Sequence, residues 1–201
     1  MTADAEMTDA STARLFVAVD PPAQVCEQLA AWARSAVRGL GTSGGKTHSV
    51  RVLDPELLHV TLCFLGNRPV QEIAAVGEAL EECVRGVGEL AVGAPLWLPP
   101  RRPRALAVEL RDDADGGLEA LHDALVRALA RACGYEEGRR RFRAHVTLAR
   151  MREGPRGPAG ARALPPTPAL SFTPASIVLY RSWLSPAGAS YEALMTRMLA
   201  P

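Results

Sequence analysis

Short apolar runs and amphipathic stretches alternate along this chain, with proline or glycine at nearly every change. Leu15–Val19 is an unbroken apolar run halted by Asp20-Pro21-Pro22, which predicts a buried strand. From Ala23 to Arg38 the positions Val25, Leu29, Trp32, Ala33 and Ala36 fall on one helical face, entered through the prolines. A glycine-rich connector over 39–45 leads to a short strand at Val50–Leu53 and a turn at Asp54-Pro55. Leu57–Leu65 predicts a strand ended by Gly66-Asn67-Arg68-Pro69, and Val70–Val84 a helix with Ile73, Val76, Leu80 and Val84 in one stripe. Leu90–Leu98 and Ala105–Leu110 read as strands flanking a Pro/Arg loop, and Asp113–Gly117 as a turn. Leu118–Ala132 reads as a helix closed by Gly134. Phe142–Ala149 is a further strand, and the Gly-, Pro- and Ala-rich stretch 152–168 is expected to be a mobile loop. Ile177–Trp183 and Tyr191–Leu199 form a hairpin-like pair around Ser185-Pro186-Ala187-Gly188. Short strands with hairpin-type connections predict an α+β fold of mainly antiparallel sheet.

One tetrapeptide occurs twice. His59-Val60-Thr61-Leu62 returns 86 residues later as His145-Val146-Thr147-Leu148, each copy in an expected strand. A second chance copy has odds on the order of one in a thousand at even residue usage, so the repeat points to an internal duplication. Side chains alternate across a strand, so His59 and Thr61 share one face while Val60 and Leu62 take the other; the second copy behaves alike. Halves of roughly 14–100 and 101–201, packed about a pseudo-two-fold axis, would bring two imidazoles and two hydroxyls to one anion-sized cleft. Two opposed histidines can displace at phosphorus without a metal: one accepts the nucleophile's proton and the other protonates the departing oxygen. An imidazole pKa near 6.5 lets both forms coexist at neutral pH. Threonine hydroxyls can donate to the non-bridging oxygens, where negative charge grows. A strained five-membered cyclic phosphodiester suits that chemistry. A lone strand histidine is more often a core residue, but the paired occurrence with Thr at the same offset reverses that reading.

At these motifs the chain resembles the two-histidine (2H) phosphoesterase superfamily, and within it the RNA 2′,3′-cyclic phosphodiesterases historically named 2′-5′ RNA ligases. The likeness is carried by Arg14-Leu15-Phe16-Val17-Ala18-Val19, by Pro55-Glu56 leading to His59-Val60-Thr61-Leu62-x-Phe64-Leu65-Gly66, and by His145-Val146-Thr147-Leu148-Ala149-Arg150. It extends to the segment from Ser182 and Leu184 through Gly188 to Tyr191-Glu192. The resemblance implies a bilobal fold with helices outside and the active site between the lobes. It implies hydrolysis of an RNA-terminal 2′,3′-cyclic phosphate to a 2′-phosphate, with no cofactor and no metal. His59 is then the proton donor, His145 the proton acceptor, Thr61 and Thr147 the phosphate ligands, and Arg150 a charge-assisted contact. The implied partners are RNA ends, tRNA fragments among them, and small cyclic nucleotides. Two alternatives stay open: the same displacement run backwards as 2′-5′ ligation, and a non-catalytic RNA-end-binding module. The chain departs from the family before Pro55, where the usual aromatic is replaced by Arg51-Val52-Leu53-Asp54.

Composition sets the surroundings. With 201 residues, 48% of them hydrophobic, the chain suits one bilobal domain after a frayed, disordered tail over 1–13 and excludes a disordered protein. No apolar run approaches the roughly 20 residues of a membrane span, and the acidic start is no secretory signal. The expectation is a cytoplasmic monomer. Cys26, Cys63, Cys83 and Cys133 contain no Cys-x-x-Cys pair and are expected to be reduced and buried. The 22 Arg against one Lys follow GC-rich codon usage, but their placement matters more: residues 1–100 carry net −5 and 101–201 net +6. Eight Arg stand against Glu153 alone within 139–162, a cluster that either attracts an anion or forms a solvated face. Leu40–Thr47 nearly spells a phosphate-binding loop but lacks the first glycine and a preceding strand. His48 and His122 stand alone, His122 is expected on a helix surface near Asp123, and Phe16 is expected in the core, with the lining of the cleft as its alternative.

Overall fold

The computed structural model describes residues 11–38, 50–100, 103–112, 116–138, 141–151, 164–186 and 188–200. Most of the tail, the 39–45 connector, the phosphate-loop-like run, His48, Arg139, Arg140 and most of the 152–168 stretch lie outside them. The first strand, β1 (Thr12–Val19), begins earlier than expected, so Thr12 and Ala13 belong to the sheet rather than the tail. Pro21-Pro22 then start α1 (Ala23–Arg38), the Pro22 carbonyl accepting from the N–H groups of Val25 and Cys26. β2 (Val50–Val52) and a 3-10 turn at Pro55–Leu57 precede β3 (Val60–Pro69). That strand runs through the expected stop at 66–69, because Gly66 at φ 73° accommodates a bulge instead of ending the ladder. After a 3-10 turn, α2 (Ile73–Glu81) ends short of Val84.

β4 (Leu90–Leu98) and β5 (Ala105–Arg111) match the sequence pattern closely. Asp112 Oδ2 accepts from the N–H groups of Leu118 and Glu119 at the start of α3 (Gly117–Cys133). Gly134, at φ 61°, closes it as expected. β6 (His145–Met151) is displaced three residues from its expected start at Phe142. β7 (Ser171–Phe172), β8 (Ser176–Ser185) and β9 (Gly188–Met198) complete the chain. The described end of the expected mobile loop is anchored: Trp32 Nε1 donates to the Pro166 carbonyl at 2.8 Å, and the Thr167 hydroxyl to the Gly93 carbonyl at 2.7 Å.

All pairings are antiparallel, in the order β7-β4-β5-β6-β3-β1-β8-β9 with β2 also on β6. The halves divided at 100/101 are not the two groups of strands. β4, from before residue 100, pairs with β5 and β7 on the β6 side of the sheet, while β8 returns to pair with β1 and carries β9 at the edge. What repeats is the strand–helix–strand unit, β1-α1-β3 and β5-α3-β6, the first flanked by β8 and β9 from the far end of the chain and the second by its sequence neighbours β4 and β7. α1 packs against β2 and β6, α3 against β3 and α2. One core holds Leu29, Leu80, Leu121 and Leu125 of the helices with Leu15, Val60, Val146, Leu148 and Leu179 of the sheet. The other sheet face is left for chemistry.

Candidate active site

The two motifs meet at mid-sheet. Val60 pairs with Val146, and both are fully buried on the helix side. One residue along each antiparallel strand, His59 falls beside Thr147 and Thr61 beside His145, so the arrangement is symmetric about the valine pair. All four stand on the face away from the helices, each partly exposed. The histidines occupy one diagonal of this patch, and such a diagonal spans about 7–8 Å, room for one phosphate group between the rings.

Two bulges at equivalent places extend the site. On β3, Thr61 pairs with Ala18 and Cys63 with Val17, leaving Leu62 as the extra residue. On β6, Thr147 pairs with Ala107 and Ala149 with Leu106, leaving Leu148 as the extra residue. Each bulge reverses the alternation beyond it. Strict alternation would turn Arg150 toward the helices. The bulge turns it to the histidine face, where its positive charge acts on His59. Phe64 is its counterpart in the first motif, opposite Phe16 and 49% exposed. A symmetric frame therefore carries a cation on one arm and an aromatic ring on the other.

Each histidine is aimed in the same way. His59 Nδ1–H donates to the Leu57 carbonyl at 2.8 Å and His145 Nδ1–H to the Arg143 carbonyl at 2.7 Å. A carbonyl can only accept, so both Nδ1 atoms carry the proton and both Nε2 atoms remain for chemistry. Arg143 is itself held by Glu109 at 2.9 Å. The two surroundings differ. His59 lies 4.8 Å from the Phe16 ring, and Tyr191 meets it edge-on at 5.2 Å. Tyr180 stacks on Phe16 and donates its hydroxyl to Asp20 at 2.6 Å. Burial pulls the His59 pKa below the ordinary imidazole value, partly offset by the Leu57 carbonyl and Asp20.

Phe16 thus belongs both to the interior and to the wall of the site. The aromatic wall around His59 comes from strands far apart in sequence, of which the segments containing Phe16 and Tyr191 were singled out in the sequence and Tyr180 was not. Where the family aromatic is missing, β2 sets Arg51 beside Arg150. The Arg51 guanidinium reaches the hairpin between β8 and β9, where a Cβ on Gly188 would lie 2.6 Å from Nη1. His122 is not a surface residue: it is 3% exposed, stacked on Phe142 at 4.2 Å with Asp123 and Glu137 at its nitrogens. Asp123 is its neighbour in sequence, but the other covering residues, Glu137 and Phe142, fold back from beyond α3. All four cysteines are free, and burial pushes the thiols of Cys26 and Cys63 up to about 11 and about 12. Among the described residues, no three His, Cys, Asp or Glu side chains cluster as metal ligands would, and no helix is long and apolar enough to cross a membrane.

Comparison with known proteins agrees with this architecture. A family model described as the 2′-5′ RNA ligase superfamily matches residues 21–183. An RNA 2′,3′-cyclic phosphodiesterase of Archaeoglobus fulgidus is 28% identical over 141 residues, 69% of this chain and 73% of the relative. The crystal structure of TT0787 of Thermus thermophilus has a TM-score of 0.72 at 26% identity, covering 92% of this chain and 97% of that one. E. coli LigT, crystallised with 3′-AMP, has a TM-score of 0.75 at 24% identity over 94% and 99% of the two chains, a likeness of fold.

Proposed function

The chain belongs to the 2′-5′ RNA ligase superfamily, and on that premise we propose that it opens the 2′,3′-cyclic phosphate at an RNA end, leaving a 2′-phosphate and a free 3′-hydroxyl. His145 Nε2 takes a proton from water as the water oxygen bonds to phosphorus. The P–O3′ bond breaks, and His59 passes a proton to O3′. Thr61 and Thr147 donate to the non-bridging oxygens, and Arg150 offsets their growing charge. The observation that carries this reading is the matched Nδ1–carbonyl bond at both histidines, which frees two Nε2 atoms on one sheet face.

The unequal arms support the assignment of acid and base. O3′ belongs to the nucleoside, and in-line attack sets the water opposite it. Phe16, Phe64, Tyr180 and Tyr191 gather on the β3 side and suit a nucleoside, whereas Arg150 on the β6 side suits phosphate. His59 then stands with the leaving group and His145 with the water. Burial favours neutral His59 in the free protein, and the arriving anion favours its imidazolium form, so the acid is charged as substrate binds.

The test offers an oligonucleotide with a 2′,3′-cyclic end and identifies the product isomer by phosphorus NMR. A 2′-phosphate is expected. A 3′-phosphate would reverse the leaving group, and joining to an added 5′-hydroxyl strand in place of hydrolysis would make the protein a ligase. No step in this reading uses a metal, so turnover should persist in excess chelator, and its loss would refute the scheme.

A further inference from the structure

Arg14 lies on β1, four residues before the Ala18 that pairs with Thr61, and alternation sets Arg14, Phe16 and Ala18 on the histidine face. Its guanidinium carbon sits 4.7 Å from the centroid of the Phe64 ring, and its Nη1 donates to the Ser182 hydroxyl at 3.2 Å. Ser182 is buried, and its hydroxyl contacts the Arg14 carbonyl at 3.3 Å. The side chain is therefore held in place by a ring and a neutral hydroxyl. Neither carries charge.

Among the described residues Arg14 enters no ion pair, whereas Arg68, Arg131, Arg141, Arg143 and Arg197 each meet a glutamate. The register supplies the reason. Around Arg14 this face presents Asn67 of β3, Ser182 of β8 and, beyond it, Tyr191 of β9. Asp20 stands past the opposite end of β1 and accepts from Tyr180, while Glu109, opposite His145 on β5, is paired with Arg143. A fixed guanidinium with spare N–H donors and no ion-pair partner among the described residues is suited to an anion, above all a phosphate.

Its place says which phosphate. Phe64 lies opposite Phe16, about 7 Å along the strands from the Ala18–Thr61 pair, and the guanidinium lies beyond that ring. That is about one nucleotide from the reacting phosphorus, on the side given to the nucleoside. We propose that Arg14 binds the phosphate on the 5′ side of the terminal nucleotide, so that the protein prefers an RNA end to a free cyclic mononucleotide. This inference rests on the functional reading above and adds to it the residue that recognises the adjoining phosphate.

The experiment compares kcat/KM for adenosine 2′,3′-cyclic phosphate and for the dinucleotide ApA carrying the same cyclic end. Wild type, Arg14→Gln and Arg14→Lys are each measured at low and moderate salt. One charge-assisted contact should favour the dinucleotide about tenfold in wild type (about 1.4 kcal/mol). Arg14→Gln should remove most of that ratio, Arg14→Lys should keep part of it, and salt should lower it in wild type. A wild-type ratio near one, or a ratio that Arg14→Gln leaves unchanged, overturns the proposal. Equal loss on both substrates also overturns it, because Arg14 then serves only to hold Phe64. Dissociation constants for the matching 2′-phosphate mononucleotide and dinucleotide separate the two readings. If neither substrate turns over, hydrolysis fails, and the affinity ratio alone decides for or against Arg14.

Discussion

Deleting the two imidazoles singly and together probes the displacement most directly. His59→Ala and His145→Ala each remove a ring aimed by one backbone hydrogen bond. Each should lose about 10²–10⁴ in rate, the usual worth of a positioned acid or base. At 1.36 kcal/mol per decade that is about 2.7–5.4 kcal/mol of barrier. In the proposed mechanism both proton transfers belong to one displacement, so the double variant should fall near the slower single one and not at the product of the two losses. Losing His59 also leaves the Leu57 carbonyl unpartnered and a gap beside Phe16, costing about 1–3 kcal/mol of stability, so urea midpoints must accompany the rates. The assay is single-turnover opening of a cyclic-ended dinucleotide. A second substrate with sulfur in place of O3′ separates the roles, because a thiol of pKa about 8.5 departs without a proton. That substrate should rescue His59→Ala and leave His145→Ala slow. Rescue of His145→Ala instead would exchange acid and base, and near-normal turnover by either single variant would refute the two-histidine mechanism.

Three further outcomes follow from particular residues. Thr61→Val and Thr147→Val keep side-chain shape and lose one donor each, so kcat should drop about ten- to a hundredfold with the fold intact; no loss would remove the hydroxyls from the phosphate site. Burial lowers the pKa of His59, so the unfolded chain binds its proton first as pH falls. This contribution to stability is present above the unfolded value near 6.5 and fades as pH drops through the lower folded one. His59→Phe should flatten that decline in urea midpoints between about pH 7 and pH 5, and an unchanged slope would contradict the desolvation of His59. Gly134→Ala, at φ 61° with open space around its Cβ, should cost about 1–2 kcal/mol. Gly188→Ala, at φ 137° and against Arg51, should cost more, about 1–3 kcal/mol. Equal thermal shifts would show that the Arg51 contact and the rarer backbone angle add nothing.

Much of the site was legible before any fold was known. Two-residue alternation set His59 with Thr61 and His145 with Thr147, and both pairs face away from the core. Helical stripes located α1 and α3 within a residue or so. The errors share a cause. The stop at Gly66, the start at Phe142 and the surface placement of His122 were local readings of features decided by distant partners: β1 for the first, β5 for the second, Glu137 and Phe142 for the third. The β8–β9 hairpin likewise finds its neighbour, β1, at the other end of the chain, which no local reading of either segment shows.

Local chemistry was enough to nominate the candidate side chains, since what points to which side of a strand depends on adjacent residues alone. Long-range register was needed to join them: the Val60–Val146 pairing brings the motifs together, and the bulges at Leu62 and Leu148 turn Phe64 and Arg150 onto their face. A bulge exists only relative to the strand opposite, and which strand lies opposite is decided by packing of the whole core, a quantity no short stretch of residues carries.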